Sequence, residues 1–239
     1  MTYLQFSLAC KHEVQMKKLI IWDFDGVIAD SEKLWIKVWR DLLQQRKNLV
    51  LTDKQTADLL VGVSDKTKVL RLKKEFPDLI LDDAFIDKVQ RGQIYAGMHF
   101  LEEIPGVRNV IADTDFEHCI ATGATKEQQK MKFIKFPWLE QYIPLSKCYT
   151  SDMVELGKPA PDLFLLAAKE NNKALSDCVV IGDSLNDFAA AKAAGIKCIA
   201  FVGAEGNNNE VYKQKCLDAD VADICATMSD LHAVLKRFF

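Results

Sequence analysis

The fold is decided at residues 17–27, which read Lys17-Lys18-Leu19-Ile20-Ile21-Trp22-Asp23-Phe24-Asp25-Gly26-Val27. The apolar run at 19–22 is typical of a fully buried strand. Asp23 and Asp25 follow it two positions apart, so strand alternation points both carboxylates the same way. Gly26 then allows a sharp turn. Because the two acids repel each other, the pair indicates a divalent cation, or a reaction with one acid as nucleophile and the other as proton donor.

Beyond residue 105, strand and helix patterns alternate along the chain. The sequence predicts strands at 118–122, 178–183 and 197–202, and helices at 125–133, 161–170, 185–194 and 229–236. Gly195 is suited to end the third of these helices. Alternation of this kind is typical of a parallel sheet with helices on both faces, so we predict an α/β fold.

Residues 31–103 interrupt that alternation, since they show helical periodicity and no strand pattern. We therefore predict an all-helical domain over this range, inserted in a core domain that comprises 17–30 and 104–239. The chain would cross twice between the two domains, and a hinge motion is the expected behaviour of such a pair. Residues 1–16 are predicted to form an N-terminal tail.

Four groups of polar residues lie at or near the carboxyl ends of predicted strands, the edge where an open parallel sheet binds ligands. They are the Asp23/Asp25 pair, Thr122-Gly123, Lys158, and Gly182-Asp183-Ser184 with Asp187. Taken singly, each has an ordinary explanation as a solvated strand end, a turn, a surface lysine or a helix cap. Their joint placement at one edge favours a single site.

The types of residue in these groups suit an anionic ligand. Thr122 offers a hydroxyl group and Gly123 a free backbone N–H. Pro159 and Pro161 stiffen the loop around Lys158, so that its ammonium group is held in one place.

The composition of the 239-residue chain is that of an ordinary globular protein, with 49% hydrophobic and 27% charged residues. The net charge of −3 argues against a nucleic-acid binder with a broad basic face. No apolar run approaches the roughly 18 residues of a membrane span. The seven cysteines form no Cys-x-x-Cys pair, which disfavours a zinc site and fits a reducing, cytoplasmic setting.

The four groups together resemble the motifs of the haloacid dehalogenase superfamily, on its branch of phosphatases and β-phosphoglucomutase-like enzymes. Residues 23–31 match the first motif, Thr122 the second, Lys158 with its Pro-x-Pro-Asp context the third, and residues 182–187 the fourth. The resemblance spans residue 17 to about 225. It implies a Rossmann-like core, and the insert at 31–103 falls where this branch carries a helical cap domain.

The resemblance also implies a mechanism: Mg²⁺-dependent hydrolysis of a phosphate monoester through an aspartyl-phosphate on Asp23. The carboxylate of Asp23, the backbone carbonyl of Asp25 and Asp183 would hold Mg²⁺, and Asp187 would support the metal site or Lys158. Lys158, Thr122 and Gly123 would bind the phosphoryl oxygens. Asp25 would protonate the leaving oxygen and then accept a proton from the attacking water.

Other functions remain open from sequence. The mutases of the family carry a histidine twelve positions after the nucleophile, and Trp35 stands there in this chain, so a phosphosugar mutase is the less favoured alternative. Haloacid dehalogenation ranks below both, because the dehalogenases lack the acid found here at Asp25. A phospho-receiver or another phosphate-binding protein is the non-enzyme alternative.

Substrate specificity is expected to depend on the cap. Gly62-Val63-Ser64-Asp65-Lys66 resembles the cap loop that reads the substrate, which makes Gly62, Ser64 and Lys66 candidates, and Arg91 is a further candidate cation. Trp35 either lines the site or packs in the cap. The expected partner is a small phosphorylated metabolite, with no nucleic acid and no membrane, and the protein is predicted to be a monomer.

Overall fold

The computed structural model describes residues 17–61, 65–113, 115–204 and 207–238. Its strands, in chain order, are β1 (Leu19–Trp22), β2 (Ala29–Asp30), β3 (Glu102–Glu103), β4 (Glu117–Thr122), β5 (Cys148–Thr150), β6 (Cys178–Gly182), β7 (Lys197–Phe201) and β8 (Asp223–Cys225). Six of them form a sheet in the order β5-β4-β1-β6-β7-β8, and every pair of neighbours is parallel. The prediction of an α/β fold with a parallel sheet is confirmed.

Helices surround this sheet and fill the segment between β2 and β3. They are α1 (Glu32–Lys47), α2 (Asp53–Leu60), α3 (Asp65–Glu75), α4 (Asp83–Phe100), α5 (Val107–Ile111), α6 (Lys126–Lys135), α7 (Leu139–Tyr142), α8 (Asp162–Glu170), α9 (Leu185–Ala194), α10 (Glu210–Asp218) and α11 (Met228–Phe238). Single 3-10 turns lie at Leu145–Lys147, Ser151–Met153 and Leu175–Asp177. No helix in the described ranges is both long and apolar enough to cross a bilayer.

The strand β1 lies at the centre of the sheet because all four of its side chains are apolar and fully buried. Ile20 and Trp22 contribute to the apolar layer on one face, which includes residues of α5 and α11. Leu19 and Ile21 contribute to the layer on the other face, with residues of α8 and α9. A strand buried on both faces carries no polar alternation, as the sequence showed.

The helices α1–α4 bury a separate apolar cluster of their own. It includes Trp39, Leu43, Leu60 and Leu72, and Phe85 packs on Trp39 with ring centroids 5.9 Å apart. We predicted no strand in 31–103, and this is wrong at one point, because β3 pairs antiparallel with β2 where the chain enters and leaves the helical segment. The division into core domain and cap domain at residues 31 and 103 stays a prediction.

The helix α9 shows how local sequence fixes the position of a functional residue. Ser184 caps the helix and accepts a hydrogen bond from the backbone N–H of Asp187, whose carboxylate accepts from the Ser184 backbone in return. Gly195 ends the helix with a φ of 71°, as predicted. The capping box therefore holds Asp187 in the first turn, directly after β6.

Candidate active site

Three carboxylates meet at the carboxyl edge of the sheet. Asp23 follows β1, Asp183 follows β6, and these strands are parallel neighbours with Trp22 opposite Ile181. One carboxylate oxygen from each of Asp23, Asp183 and Asp187 lies within 4.8 Å of the other two, and all three residues are buried. The structure therefore brings Asp23 next to two acids that lie 160 and 164 residues further along the sequence.

Two glycines make this close approach possible. A Cβ atom placed on Gly26 would lie 2.0 Å from Asp183 Oδ2, and Gly26 has a φ of 79°, which side chains of other residues disfavour. A Cβ atom on Gly182 would lie 2.5 Å from the Cβ of Asp187. Any larger residue at either position would displace one of the acids.

Lys158 bridges two of the three acids. Its Nζ lies 2.9 Å from Asp23 Oδ1 and 2.6 Å from Asp187 Oδ1, and it also donates to the backbone oxygen of Ala121 at 2.8 Å. The side chain is only 7% exposed. Burial lowers the pKa of this ammonium group, but Asp187 and Asp23 outweigh it and raise the pKa overall, so Lys158 is charged.

One lysine does not offset three buried acids. Burial raises the pKa of Asp183, and the charges of Asp187 and Asp23 raise it further. The pKa of Asp23 is also raised, mainly by burial and then by Asp187 and Asp25, although Lys158 acts in the opposite direction. Clustered, desolvated oxygen ligands with an excess of negative charge are a donor set that suits a hard divalent cation.

Asp25 has a different environment from Asp23. Its Oδ2 lies 2.5 Å from Nζ of Lys132 on α6, and that ammonium group also lies 4.6 Å from the centre of the Phe24 ring. Burial raises the pKa of Asp25, but the charge and hydrogen bond of Lys132, together with hydrogen bonds to Ser31 and Trp35, outweigh burial, so the net shift is downward. The two acids of the first motif are thus held by two different lysines.

Thr122 and Gly123 lie at the end of β4, the neighbour of β1. The Thr122 hydroxyl is buried and accepts a hydrogen bond from the backbone N–H of Ala124 at 3.2 Å. A Cβ on Gly123 would meet no atom within 4 Å among the described residues, so there is open space beside this turn. Their role in phosphate binding stays a prediction.

Further contacts hold Asp183 in place. Asn207 donates from Nδ2 to Asp183 Oδ2 at 3.2 Å, and the Tyr212 hydroxyl donates to the backbone oxygen of Asp183. Sequence reasoning identified neither residue, because both follow β7 in a stretch with no motif.

The acids open into a cavity of about 550 Å³ between the sheet edge and the helices α1, α3 and α4. We call the part formed by Asp23, Lys158, Asp183 and Asp187 the core end. The part formed by Asp65, Lys68 and Gln93 is called the cap end. The remaining walls are mostly apolar and include Trp35, Ile94, Met98, Leu101 and Met131.

The candidate specificity residues differ in whether they line the cavity. Trp35 lines the cavity. Lys66 is exposed and lies outside the set of lining residues, and the 77% exposed side chain of Arg91 pairs with Asp87. Gly62 and Ser64 lie outside the described residues. Lys68, two positions after Lys66, was not among the predicted site residues.

The family is decided by a match to the model of haloacid dehalogenase-like hydrolases over residues 20–201. The chain belongs to this family. A phosphorylated carbohydrates phosphatase of Thermotoga maritima is 26% identical over 183 residues, which cover 75% of this chain and 82% of that protein. A haloacid dehalogenase-like protein of unknown function from Agrobacterium tumefaciens superposes with a TM-score of 0.81 at 25% identity, over 93% of this chain and 99% of that one.

A third relative is much more similar in sequence. The bifunctional riboflavin kinase/FMN phosphatase of Arabidopsis thaliana is 56% identical over 184 residues, which cover 74% of this chain and 44% of that protein. The family and the names of these relatives bear out the predicted enzyme class, a hydrolase acting on phosphate monoesters.

Proposed function

We propose that the protein is a Mg²⁺-dependent phosphatase that hydrolyses flavin mononucleotide (FMN), or a phosphate monoester of similar size, through an aspartyl-phosphate on Asp23. The observation that carries this proposal is the core end itself, where Lys158 holds Asp23 beside two further buried acids at the sheet edge. Asp23, Asp183 and Asp187 would hold the cation, together with the predicted carbonyl of Asp25. When bound, Mg²⁺ would neutralise the acids and the phosphoryl oxygens.

The chain's own residues account for both steps of the reaction. A carboxylate oxygen of Asp23 attacks phosphorus, an O–P bond to Asp23 forms, and the bond from phosphorus to the leaving oxygen breaks as Asp25 gives that oxygen its proton. Water then attacks phosphorus and loses a proton to Asp25, and the bond to Asp23 breaks. The products are the alcohol and inorganic phosphate, and both acids return to their starting states.

Lys158 has a positional role in this scheme. It is held by Asp187 and by the Ala121 carbonyl as well as by Asp23, so its ammonium group stays near the nucleophile while Asp23 is esterified. It can then donate to the phosphoryl oxygens, whose charge is spread over the transition state. Thr122 and Gly123 are proposed to contribute the remaining donors.

Two observations support a substrate larger than a phosphorylated triose. The cavity of about 550 Å³ lies within the size range of pockets that bury whole cofactors or drug-sized ligands, roughly 300–1,000 Å³. The relative with 56% identity carries FMN phosphatase in its name, and this chain matches a hydrolase family, so we assign the phosphatase rather than the kinase activity of that pair to it.

One detail weighs against the mutase alternative. Trp35 stands at the position of the mutase histidine and lines the cavity, and an indole cannot relay a proton as imidazole does.

Buried free thiols at all six cysteines of the described ranges support a reducing compartment, and we propose the cytoplasm. A monomeric state stays a prediction.

The test is release of inorganic phosphate from FMN by the purified protein, with Mg²⁺ and with EDTA. We expect turnover with Mg²⁺ that EDTA abolishes, and no formation of FMN from riboflavin and ATP. A panel of sugar phosphates and p-nitrophenyl phosphate run in parallel separates a wrong substrate from a wrong activity. Absence of turnover on the whole panel with Mg²⁺ would overturn the proposed function.

A further inference from the structure

The cap end of the cavity contains a cluster of polar side chains, with Lys68 and Gln93 buried and Asp65 half-buried, that phosphoryl transfer does not use. Asp65, at the start of α3, accepts a hydrogen bond from Lys68 Nζ at 3.0 Å and another from Gln93 Nε2 at 3.0 Å. It accepts a third from the indole N–H of the fully buried Trp39 at 2.8 Å. Three donors from three different helices thus converge on one carboxylate.

This arrangement fixes Lys68 and Gln93 in position. The Lys68 side chain is only 8% exposed and yet lines the cavity, and Gln93 is 8% exposed and lines it too. Burial of an ammonium group is unfavourable unless partners compensate it, and Asp65 supplies the one compensating charge among the described residues. Asp65 therefore holds a charged donor and an amide side by side at the cavity wall.

Both groups have hydrogen-bonding capacity left over. Lys68 carries three N–H groups and uses one on Asp65. Gln93 uses its Nε2 on Asp65, and among the described residues its Oε1 has no donor. The cap end thus offers a ligand a charged donor beside a neutral acceptor, which is the complement of a carbonyl oxygen next to an N–H group.

We propose that Lys68 and Gln93 bind the polar edge of a planar heterocyclic ring on the leaving group of the substrate. Lys68 donates to a ring carbonyl, and the Oε1 of Gln93 accepts from the adjacent ring N–H. This inference rests on the proposed function, and flavin has such an edge, in which a ring N–H lies between two carbonyl groups. A phosphorylated open-chain sugar has no edge of this kind.

The walls between the two ends suit the rest of such a ring. Trp35, Met98 and Met131 line the cavity, and polarisable side chains of this kind pack well on aromatic faces. Gly97 allows the Trp35 indole to lie close to the backbone of α4, since a Cβ there would be 3.1 Å from the ring. These side chains would contact the faces of a planar ring placed between the phosphate-transfer residues and the Lys68–Gln93 pair.

The test uses riboflavin, which carries the ring but no phosphate, as the binding probe. Binding is measured by flavin fluorescence with the wild-type protein, Lys68→Met and, as matched control, Lys66→Met on the same helix, where the lysine is exposed. We expect Lys68→Met to weaken riboflavin binding and to raise the KM for FMN, each by about tenfold or more, as loss of a charged hydrogen bond does. Lys66→Met should bind like the wild type.

Hydrolysis of p-nitrophenyl phosphate separates this inference from the proposed function. Its leaving group does not present the ring edge, so kcat/KM on this ester should change by less than about twofold in Lys68→Met. Equal losses on FMN and p-nitrophenyl phosphate, or riboflavin binding unchanged by Lys68→Met, would overturn the inference while the phosphatase activity stands. Failure of the wild type to bind riboflavin would overturn it as well.

A second variant, combined with a check of folding, distinguishes a specific loss of binding from a folding defect. Gln93→Met nearly keeps the volume of the side chain and removes both the Oε1 acceptor and the Nε2 donor to Asp65, and it should weaken riboflavin binding several-fold without loss of p-nitrophenyl phosphate turnover. Thermal melts of each variant show whether it is folded. If the folded Gln93→Met protein binds riboflavin as tightly as the wild type, the assignment of the ring edge to this pair is wrong.

Discussion

At the core end of the cavity two of the acids, Asp23 and Asp183, directly follow neighbouring strands, whereas at the cap end all three polar side chains lie within helices. Asp23 and Asp183 are brought together by the register of two parallel strands, which leaves little freedom in where a strand-end residue lies. Asp65, Lys68 and Gln93 are brought together by the packing of α3 and α4. Residues placed by strand register can keep the same positions and the same reaction in many proteins of this fold. Residues placed by helix packing can differ from one protein to another, according to the substrate.

The largest expected effect lies at the core end. Asp23→Asn should lower turnover of every phosphoester by at least about 10⁴-fold, because an amide cannot replace the carboxylate nucleophile. Phosphate release under steady-state conditions measures this loss. If activity on FMN fell and activity on p-nitrophenyl phosphate did not, Asp23 would serve the leaving group instead, and the contrast between the two ends would fail.

Stabilisation of the folded protein by Mg²⁺ should depend on the acids of the core end. With Mg²⁺ at about a hundred times its Kd, we expect the melting temperature to rise by roughly 5–10 °C. Asp183→Asn should abolish this rise, and without Mg²⁺ it should melt above the wild type, because it removes one of three mutually repelling buried acids.

Asp53→Asn, at a 99% exposed carboxylate on α2, is the control for Asp183→Asn and should leave both melting temperatures unchanged. A full Mg²⁺ response in Asp183→Asn would mean that the cation binds elsewhere.

The ion pair of Asp25 with Lys132 should govern the pH dependence of the first chemical step. That step needs a protonated Asp25, and the Lys132 ammonium lowers the pKa of this acid. Lys132→Met should therefore raise this pKa and move the alkaline limb of kcat/KM to higher pH. The comparison is with Lys130→Met, which changes an exposed lysine on the same helix. An unchanged limb would mean that Lys132 acts on the substrate and not through Asp25.

The smallest expected effect is the pH dependence of stability that comes from His118, a residue of the sheet that lies at neither end of the cavity. His118 on β4 accepts a hydrogen bond from the Trp22 indole through Nδ1, and its Nε2 lies 3.2 Å from the backbone oxygen of Asp113, which suits the neutral ring. Burial lowers the pKa of His118 to about 4. Since the unfolded chain binds this proton at about pH 6.5, stability from His118 is present above that pH and is lost as the pH falls towards 4.

This loss should amount to about 3 kcal/mol at most in the free energy of unfolding. Urea titrations between pH 7 and pH 4.5 measure it, and His118→Gln, which cannot take up the proton, should show a smaller decline over that interval. An equal decline in both proteins would assign the acid sensitivity to other groups.

The core end could be predicted from sequence to a large extent, and the cap end could not. Strand-end residues such as Asp183 follow an apolar run and a glycine, so local pattern alone places them at the binding edge. Lys132 lies in a helix with three other lysines, and Lys68 in one with Lys66, Lys73 and Lys74. Which lysine of such a helix becomes buried depends on the rotation of that helix against distant segments, and composition does not encode this.

Dependence on distant segments also explains why the sequence does not predict two strands of the sheet. The strands β5 and β8 have only three residues each, too few for a periodic pattern, and they are strands because parallel neighbours pair with them. The long runs β4, β6 and β7 were predicted nearly to the residue, since their apolar content alone requires burial.

The most direct test of the central claim is to trap the phosphorylated enzyme. Asp25→Asn is mixed with p-nitrophenyl phosphate, whose leaving group needs no proton, and the reaction is quenched with acid. Because the variant lacks the base for the second step, we predict that a phosphoryl group accumulates on the protein and that peptide mass spectrometry finds it on Asp23. Release of p-nitrophenol with no phosphorylated protein, or with the phosphoryl group on another residue, would contradict the account.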